Sequence, residues 1–360
     1  METTKIPLLP LHQDIETKAV LRKSALAHQA LAEFKGVISS LPNEHILLET
    51  LALREARESS AIENIISTFD EIYRSSFQNQ QFASPAAKEV HQYAKALIEG
   101  FDLVKTNGLL TNNTILQIQE VVEQNKAGFR KLPGTKLLND QTGEVIYTPP
   151  QDYDTILNLM QNLESFINDD SMMDLDPLIK MAIIHYQFES IHPFYDGNGR
   201  TGRIINILYL VQKGLLTLPI LYLSSYIIAH KNDYYRLLQE IRVKESWEAW
   251  MLFILDGVEK TAKEGIILIK ALRLLMQEQK SQIRALAPKL YSQDLLNSLF
   301  KYPYTKIEYL QKDLRVSRNT AIRYLDDLVS ANILVKHKIG RENYYEHVKL
   351  FKLLSGQKNA

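Results

Sequence analysis

The stretch from His192 to Arg203 constrains this chain of 360 residues more than any other part of it. It reads HPFYDGNGRTGR and lies between two segments with helical hydrophobic periodicity. Upstream, apolar residues recur at intervals of three and four from Leu178 to Phe188, which predicts one apolar stripe on a helix. Downstream, residues 203–210 are apolar almost all round, which predicts a buried helix. We therefore expect the stretch to be a loop that leads into the start of a buried helix.

That position favours anion binding. Free backbone N–H groups and the helix dipole make a helix N terminus attractive to phosphate. Gly197 and Gly199 lack a Cβ and allow the backbone to approach a ligand closely. Arg200 and Arg203 lie three residues apart, on neighbouring positions of the first turn, and their guanidinium groups suit phosphate oxygens. The stretch therefore predicts a phosphate site.

Two further side chains of the stretch add metal and acid–base chemistry. Asp196 supplies a carboxylate oxygen of the kind that Mg²⁺ uses beside substrate phosphates. His192 can accept a proton near neutral pH. Each feature has a structural alternative: a helix-capping turn, a His-Pro corner, or a surface ion-pair cluster. Because all of the features occur within twelve residues, a phosphate site with a base is the better interpretation.

At these residues the chain resembles the Fic family (filamentation induced by cAMP), whose signature HPFx[D/E]GNGRxxR it matches at every specified position. The resemblance implies a helical domain that transfers AMP from ATP, with Mg²⁺, to a Ser, Thr or Tyr hydroxyl of a protein, either another protein or the chain itself. It implies that His192 is the general base and that Asp196 binds Mg²⁺. Other phosphate-linked transfers remain alternatives, because the sequence does not identify the base of the nucleotide. The implied nucleotide-binding residues are Gly197, Asn198, Gly199, Arg200, Thr201, Gly202 and Arg203.

A second motif lies near the end of a helix expected at about 43–66. Ser59 and Glu63 are four residues apart on one helical face, and such a pair is usually solvated surface. Together with Asn64, however, they match the [S/T]xxxE[G/N] inhibitory motif of Fic proteins. The resemblance implies that Glu63 pairs with Arg203, enters the nucleotide site and displaces the γ-phosphate, so that the enzyme inhibits itself. Some relatives use this glutamate to remove AMP, and the sequence does not separate the two roles.

Two weaker resemblances concern substrate contacts. Between residues 127 and 150, β-like runs flank a turn-rich segment at 139–143, which predicts a hairpin, with an ordinary connector as the alternative. The resemblance implies a flap that docks the target as an added strand along Thr135, Lys136 and Leu137. Tyr234 and Tyr235 resemble the family's tyrosine pair near the adenine and ribose, although paired tyrosines are also common in protein cores.

The pattern along the chain predicts a mainly α fold: a helical Fic domain with a β-hairpin flap, plus a C-terminal winged helix-turn-helix. Four regions are expected. They are an N-terminal helical region with the inhibitory helix (1–110), the catalytic domain (111–258), a linking helix (259–290) and the winged helix-turn-helix (291–360).

The last region has the composition of a DNA-binding module. It holds 12 Lys and Arg residues against 7 Asp and Glu, as DNA binding would require. Its hairpin is expected to turn at Gly340-Arg341. Asp326 and Asp327 oppose phosphate contacts, and such modules often serve only as protein-contact surfaces. A DNA-binding regulator with the Fic core as nucleotide sensor is therefore the alternative function. The expected DNA contacts are Arg318, Asn319 and Arg323 on the recognition helix, with Lys336, Lys338 and Arg341 on the wing.

Composition excludes several other classes. The chain has no cysteine, hence no disulfide, thiolate metal site or cysteine nucleophile. Lys plus Arg and Asp plus Glu both number 42, so the whole chain implies no polyanion partner. The first sixteen residues do not resemble a signal peptide, and the longest apolar run, near 204–211, is too short to cross a membrane. We therefore expect a cytoplasmic protein without membrane association, and a homodimer remains open.

Overall fold

The computed structural model describes residues 6–41, 48–75, 82, 84–138, 142–286, 288–339 and 342–356. Helices dominate the described residues, with two small antiparallel sheets. The helices in chain order are α1 (Lys18–Ile38), α2 (Leu48–Ile62), α3 (Phe69–Ser75), α4 (Pro85–Asn107), α5 (Asn112–Glu123), α6 (Tyr153–Asn168), α7 (Pro177–Ile191), α8 (Asn198–Gln212), α9 (Leu223–Ala229), α10 (Lys231–Lys244), α11 (Trp247–Leu286), α12 (Gln293–Lys301), α13 (Ile307–Leu314), α14 (Arg318–Ser330) and α15 (Val348–Ser355). The strands are β1 (Leu137–Leu138), β2 (Val145–Tyr147), β3 (Tyr304–Thr305), β4 (Val335–Ile339) and β5 (Glu342–Glu346).

Side-chain caps explain where several helices begin. The Ser84 hydroxyl accepts a hydrogen bond from the Ala87 N–H at 3.1 Å, just ahead of a proline at the first helical position. The Ser317 hydroxyl does the same for the Thr320 N–H at 3.2 Å. Each cap satisfies an N–H group that the helix leaves without a partner and contributes about 1 kcal/mol. These caps account for the starts of α4 and α14.

The helices α7 and α8 lie at the centre of the core. Every residue of α7 from Leu178 to Ile191 is buried, and so is every residue of α8 from Arg200 to Leu210. Helix α4 packs closely on α8, because a Cβ on Gly100 would come within 2.7 Å of the Leu208 side chain. The loop between α7 and α8 is therefore anchored by two buried, closely packed helices.

Helix α11 differs from the expected domain division. It runs without a break from Trp247 to Leu286, so the boundary predicted between 258 and 259 falls inside one helix. Its N-terminal half packs along α1, where Lys23 bridges Asp256 and Glu259 at 2.5 and 2.7 Å. The apolar face of α11 continues on both sides of residue 258. The helix therefore runs through the expected domain boundary without interruption.

The C-terminal part combines helices with a three-stranded antiparallel sheet. The elements follow in the order α12, β3, α13, α14, β4, β5, and the strands lie side by side as β3-β5-β4. This is the element order expected for a winged helix-turn-helix. The predicted hairpin turn at Gly340-Arg341, with the proposed DNA contact Arg341, lies outside the described residues. So do residues 43–47 of the expected inhibitory helix and 139–141 of the expected flap turn.

None of the helices in the described ranges has the length and apolar character needed to span a membrane.

Candidate active site

His192 ends α7 in a left-handed backbone conformation, with a φ of 49°. That conformation is strained for a residue with a Cβ and needs support from its surroundings. The buried Arg130 supplies it. Its Nε donates to the His192 carbonyl at 2.8 Å, and its backbone N–H donates to the Pro193 carbonyl at 2.8 Å. Arg130 is therefore a positioning residue for the loop, and no spacing in the sequence pointed to it.

The His192 imidazole is neutral at pH 7. Burial, together with the positive charges of Arg130 and Arg242 and against the opposite effect of Glu63, lowers its pKa from 6.5 to about 4. The side chain is only partly exposed. A neutral imidazole at the mouth of the loop can accept a proton, as the sequence predicted for a base.

The turn before α8 is shaped by Gly197 and Asn198. Gly197 has a φ of 76°, which favours glycine, and Asn198 begins the helix. The Asn198 side chain accepts from the Phe194 N–H at 2.8 Å and donates to the Phe194 carbonyl at 2.9 Å. Because both ends of this buried amide are engaged, its side chain closes the loop in this structure. Asn198 thus has a positioning role in this structure, and its predicted phosphate contact stays a prediction.

Arg203 is held by the inhibitory motif. Its Nε donates to the Ser59 hydroxyl at 2.7 Å, and its Nη2 donates to the Ser59 carbonyl at 3.0 Å and to Glu63 Oε1 at 2.9 Å. Burial raises the pKa of Glu63, but the adjacent Arg203 charge outweighs this, so the pKa lies below its usual 4.5. Glu63 is therefore charged at neutral pH, and the structure brings together the three residues that the two motifs predicted.

Glu63 also lies in front of the helix N terminus. A Cβ built on Gly199 would collide with Glu63 Oε1 and crowd Arg203 Nη1. Only a residue without a side chain allows this approach. The carboxylate therefore lies against the backbone where the N–H groups and dipole of α8 would attract a phosphate.

Asn64 sets the position of Glu63. Helix α2 ends in a Schellman motif, in which the Ile65 N–H donates to the Ser60 carbonyl at 3.0 Å and the Asn64 N–H to the Ala61 carbonyl at 3.1 Å. Asn64 takes the left-handed conformation that this motif requires, with a φ of 62°. Glycine and asparagine adopt it most readily, which gives a physical reason for either residue at this position of the motif.

Arg200 has different partners from those predicted. Its Nη1 donates to Glu89 Oε2 at 2.7 Å and its Nη2 to Glu123 Oε1 at 2.6 Å, and the side chain is 5% exposed. Glu123 also lies against Gly197, where a Cβ would meet its carboxylate at 2.5 Å. Both terminal nitrogens of Arg200 are thus engaged with carboxylates from α4 and α5. In this structure Arg200 ties the start of α8 to the core, and its predicted phosphate contact would require these pairs to rearrange.

Thr201 and Gly202 do not face the loop. Thr201 is fully buried, and its N–H donates to the Gly197 carbonyl at 2.9 Å as part of the helix. Gly202 lies against Phe188 and Glu189 of α7, with no room for a side chain. The turn of α8 directs these side-chain positions to the core and Arg203 to the site, and the nucleotide contacts predicted for Thr201 and Gly202 stay predictions.

A buried carboxylate lies behind Arg203 and was not anticipated. Burial raises the pKa of Glu189 to about 7, the Arg203 charge opposes that rise, and Glu63 adds to it. Its position on the buried face of α7 carried no signal in the sequence, because the neighbouring residues have the pattern of a core helix.

The two tyrosines of α10 have different environments. Tyr234 is 2% exposed, and its hydroxyl lies 2.9 Å from the Nε2 atom of the buried His185. Its ring packs in the core in this structure, and the predicted contact of Tyr234 with the nucleotide stays a prediction. Tyr235 is 45% exposed and remains a predicted nucleotide contact.

The predicted flap is present as a short antiparallel hairpin. Leu137 pairs with Tyr147 and Leu138 with Val145, and Thr135 and Lys136 precede β1. The Tyr195 hydroxyl accepts from the N–H groups of Lys131 and Leu132 at 2.9 and 3.1 Å, which ties the base of the hairpin to the α7–α8 loop. Three apolar side chains are exposed on this segment, as expected for a surface that docks a peptide: Leu132, Leu138 and Ile146.

The carboxylate of Asp196 fits a magnesium site in which the substrate would supply other ligands. Asp196 is exposed beside the helix start, with Oδ1 accepting from the Gly197 N–H at 2.7 Å. The described residues contain no cluster of three or more His, Asp or Glu side chains that could hold a metal by themselves. Mg²⁺ is commonly held by one or two carboxylates plus phosphate oxygens, and Asp196 can provide the protein part of such a site.

The predicted DNA contacts of the C-terminal part are exposed on α14, at Arg318, Asn319 and Arg323. Arg318 is paired with Glu308 at 2.7 Å, and Lys336 on β4 is paired with Asp326 at 3.0 Å. These acidic partners reduce the positive field that a DNA surface needs.

The fold and the site define a mainly helical protein with a glycine-containing loop at the start of a buried helix, where the carboxylate of Glu63 lies against the helix start. Family models match most of the chain: the Fic/DOC family N-terminal region at residues 21–102, the Fic/DOC family at 109–210, and the C-terminal domain of SoFic-like protein adenylyltransferases at 275–350. The chain belongs to the Fic/DOC family.

Curated relatives are similar over part of the chain. The protein adenylyltransferase fic-1 of Caenorhabditis briggsae is 30% identical over 131 residues, covering 35% of this chain and 25% of the relative. A probable protein adenylyltransferase of Aquifex aeolicus is 32% identical over 143 residues, covering 40% and 41%. The chain thus spans less than half the length of these relatives.

Solved structures share the fold over a larger part of the chain. A Fic family protein from Desulfovibrio desulfuricans superposes with a TM-score of 0.57 at 18% identity, covering 95% of this chain and 98% of that one. Fic-1 from Caenorhabditis elegans superposes with a TM-score of 0.54 at 20% identity, covering 70% and 74%. At these identities the likeness supports the fold alone.

Proposed function

We propose that this protein is an auto-inhibited protein adenylyltransferase, which transfers AMP from ATP to a Ser, Thr or Tyr hydroxyl of another protein or of itself. The observation that carries the proposal is the contact of Glu63 with Arg203 over the backbone of Gly199. A carboxylate occupies the place where a terminal phosphate would meet both a guanidinium group and a helix N terminus. The relatives named as adenylyltransferases support the same type of reaction.

The residues of the loop suit this reaction. The target hydroxyl loses its proton to the neutral His192 imidazole while its oxygen attacks the α-phosphorus of ATP. The bond to the bridging oxygen breaks, pyrophosphate leaves, and AMP remains on the protein. Arg203 and the free N–H groups at the start of α8 would stabilise the charge of the phosphates. Arg130 holds the backbone of the loop at His192, and a fixed position of the base would favour in-line transfer.

Mg²⁺ belongs to the proposal through Asp196. When bound, the ion would neutralise phosphate charge and help to align the leaving group. Asp196 would hold it together with phosphate oxygens, and the Gly197 N–H orients the carboxylate for that role.

The test is the intact mass of the Glu63→Gly protein after incubation with ATP and Mg²⁺. We expect a mass gain that corresponds to AMP, because the variant frees Arg203 for the γ-phosphate. A Glu63→Gly, His192→Ala double variant is the matched control and should lose about 10²- to 10⁴-fold in rate. If Glu63→Gly modified neither itself nor proteins of a cell extract, or if removal of His192 had no effect, the proposal would be wrong.

Removal of AMP is a separate proposal for the same residue. The charge of Glu63 raises the pKa of His192, which indicates that the two side chains lie near each other, and a carboxylate near a phosphodiester can position water. Incubation of AMP-modified Glu63→Gly protein with the wild-type protein tests it: release of AMP supports the proposal, and stable modification contradicts it.

DNA binding by residues 291–356 is the alternative function. The exposed Arg318, Asn319 and Arg323 favour it, while the ion pairs with Glu308 and Asp326 oppose it. The site geometry supports transfer more strongly, because Glu63 pairs with Arg203 directly against Gly199 at the start of α8. A gel-shift titration of the full chain at two salt concentrations distinguishes the functions, since phosphate contacts weaken steeply with salt.

A further inference from the structure

The C-terminal part of the chain contacts the segment that carries Glu63 on both sides of the inhibitory motif. Before the motif, the buried Thr50 hydroxyl of α2 donates to the Lys301 carbonyl at the end of α12. After it, Asp70 Oδ1 of α3 accepts from the Tyr304 hydroxyl of β3 at 2.8 Å. The fully buried Tyr73 ring packs edge-on against Phe351 of α15, with 6.2 Å between centroids. We call these three contacts the C-terminal interface.

The helix α3 is in turn tied to the last turns of α2. Arg57 Nε donates to the Ser67 carbonyl at 3.1 Å, and its guanidinium lies 4.3 Å from the centroid of the Phe69 ring. Phe69 stacks on Tyr73 at 6.0 Å, so the aromatic contact continues into the C-terminal interface. Arg57 is two residues before Ser59, the residue that accepts from Arg203. A continuous set of packed groups therefore leads from the C-terminal part to the inhibitory contact.

We propose that the C-terminal part keeps the inhibitory segment in place, so that the strength of the Glu63–Arg203 contact depends on the C-terminal interface. This inference rests on the proposed adenylyltransfer. The physical reason is that Glu63 lies at the exposed end of α2, with its side chain 35% exposed. A single ion pair at such a position contributes little stability by itself. The interface orders the chain before and after the motif and thereby stabilises the closed site.

The experiment is a double-mutant cycle on the full chain, read as the initial rate of AMP transfer from labelled ATP with Mg²⁺. Tyr304→Phe removes the hydroxyl that Asp70 accepts from and keeps the ring, while Asp70 retains Arg74 at 2.9 Å. If the interface acts through Glu63, the variant raises the rate about three- to tenfold in the wild-type background, which corresponds to the net contribution of one typical hydrogen bond. In the Glu63→Gly background it changes the rate less than about twofold, because the contact it weakens is gone.

Lys349→Ala is the matched control. It breaks an ion pair between α15 and α11, which joins the same C-terminal part to Glu278 without touching α2 or α3. We expect no rise in rate from it. Equal rate changes of Tyr304→Phe in both backgrounds, or no change in either, would overturn the inference. Absence of transfer by Glu63→Gly itself would instead overturn the proposed function.

A second measurement does not depend on activity. Thr50→Val removes the other polar contact of the interface, and hydrogen exchange of the full chain reports the amides of Asn64 and Ile65, whose N–H groups close the end of α2. Faster exchange at these amides in Thr50→Val and in Tyr304→Phe supports the inference. Unchanged exchange in both, with a melting temperature near that of the wild type, contradicts it.

Discussion

The two signature arginines lie one turn apart on α8 and are held in different ways. Arg203 is paired with Glu63, which follows the last turn of α2 and has a partly exposed side chain. Arg200 is paired with two carboxylates, Glu89 of α4 and Glu123 at the end of α5, whose side chains are 39% and 13% exposed. The Glu63 contact can open when the end of one helix moves, whereas release of Arg200 requires two carboxylates from different helices to move away. On the proposed function, this difference predicts that control of the site resides at Arg203, while Arg200 ties the start of α8 to α4 and α5.

The largest expected effect distinguishes Glu63, the partner of Arg203, from Glu123, one of the partners of Arg200. Glu63→Gly should raise the rate of AMP transfer by about 10²-fold, the scale of one freed donor to a developing charge. Glu123→Gln should raise it by less than about twofold, because Arg200 keeps Glu89 and does not become available. Initial rates with labelled ATP measure both. An activation by Glu123→Gln as large as that by Glu63→Gly would refute the distinction.

The arginines themselves provide the next test, in the Glu63→Gly background. Arg203→Lys should raise the KM for ATP about tenfold, because lysine cannot reproduce the planar fork of the guanidinium. Arg200→Lys should instead lower the melting temperature by several degrees, since a lysine at this buried position cannot pair with Glu89 and Glu123 through two separate N–H groups in a planar fork. Steady-state kinetics and thermal unfolding of the two variants are the measurements. The reverse assignment of effects would exchange the roles of the two residues.

The pH dependence of Glu63→Gly tests the environment of the base. The base must be neutral, and burial with the nearby arginines lowers the pKa of His192 to about 4. The rate should therefore fall only as the pH drops toward 4, and it should stay level from pH 5.5 to 7.5. The charge of Glu63 raises the pKa of His192. Its removal should therefore not shift the acidic side of the rate profile to higher pH. A profile of kcat/KM with a midpoint near 6.5 would contradict a buried base.

The smallest expected effect concerns Asn64. Asn64→Ala strains the left-handed position and should cost about 1 kcal/mol of local stability, which loosens the end of α2 and raises basal transfer a fewfold. Asn64→Gly keeps the conformation and should resemble the wild type. Basal rates of the two variants, compared side by side, provide the measurement. Equal behaviour of both variants would show that the Schellman motif does not hold Glu63.

Local patterns predicted much of the fold. Helical periodicity identified α7 and α8, and the capping residues Ser84 and Ser317 marked helix starts, because these depend on neighbours in the chain. The end of α2 was predicted a few residues too late, since residues that follow Ile62 have helical composition but close a Schellman motif. The boundary inside α11 was wrong because it depends on packing against α1, which lies far away in the sequence.

For the site, the sequence by itself determined which groups are available: a base, a carboxylate, two arginines and an inhibitory glutamate, each at a spacing set by one loop and one helix turn. The tertiary structure decided how they are used. It directs Thr201 and Tyr234 into the core, gives Arg200 two carboxylates, and brings Arg130 to the loop from 62 residues away. The physical reason is that charge pairing and burial depend on distances through space, and only the packed helices set those distances.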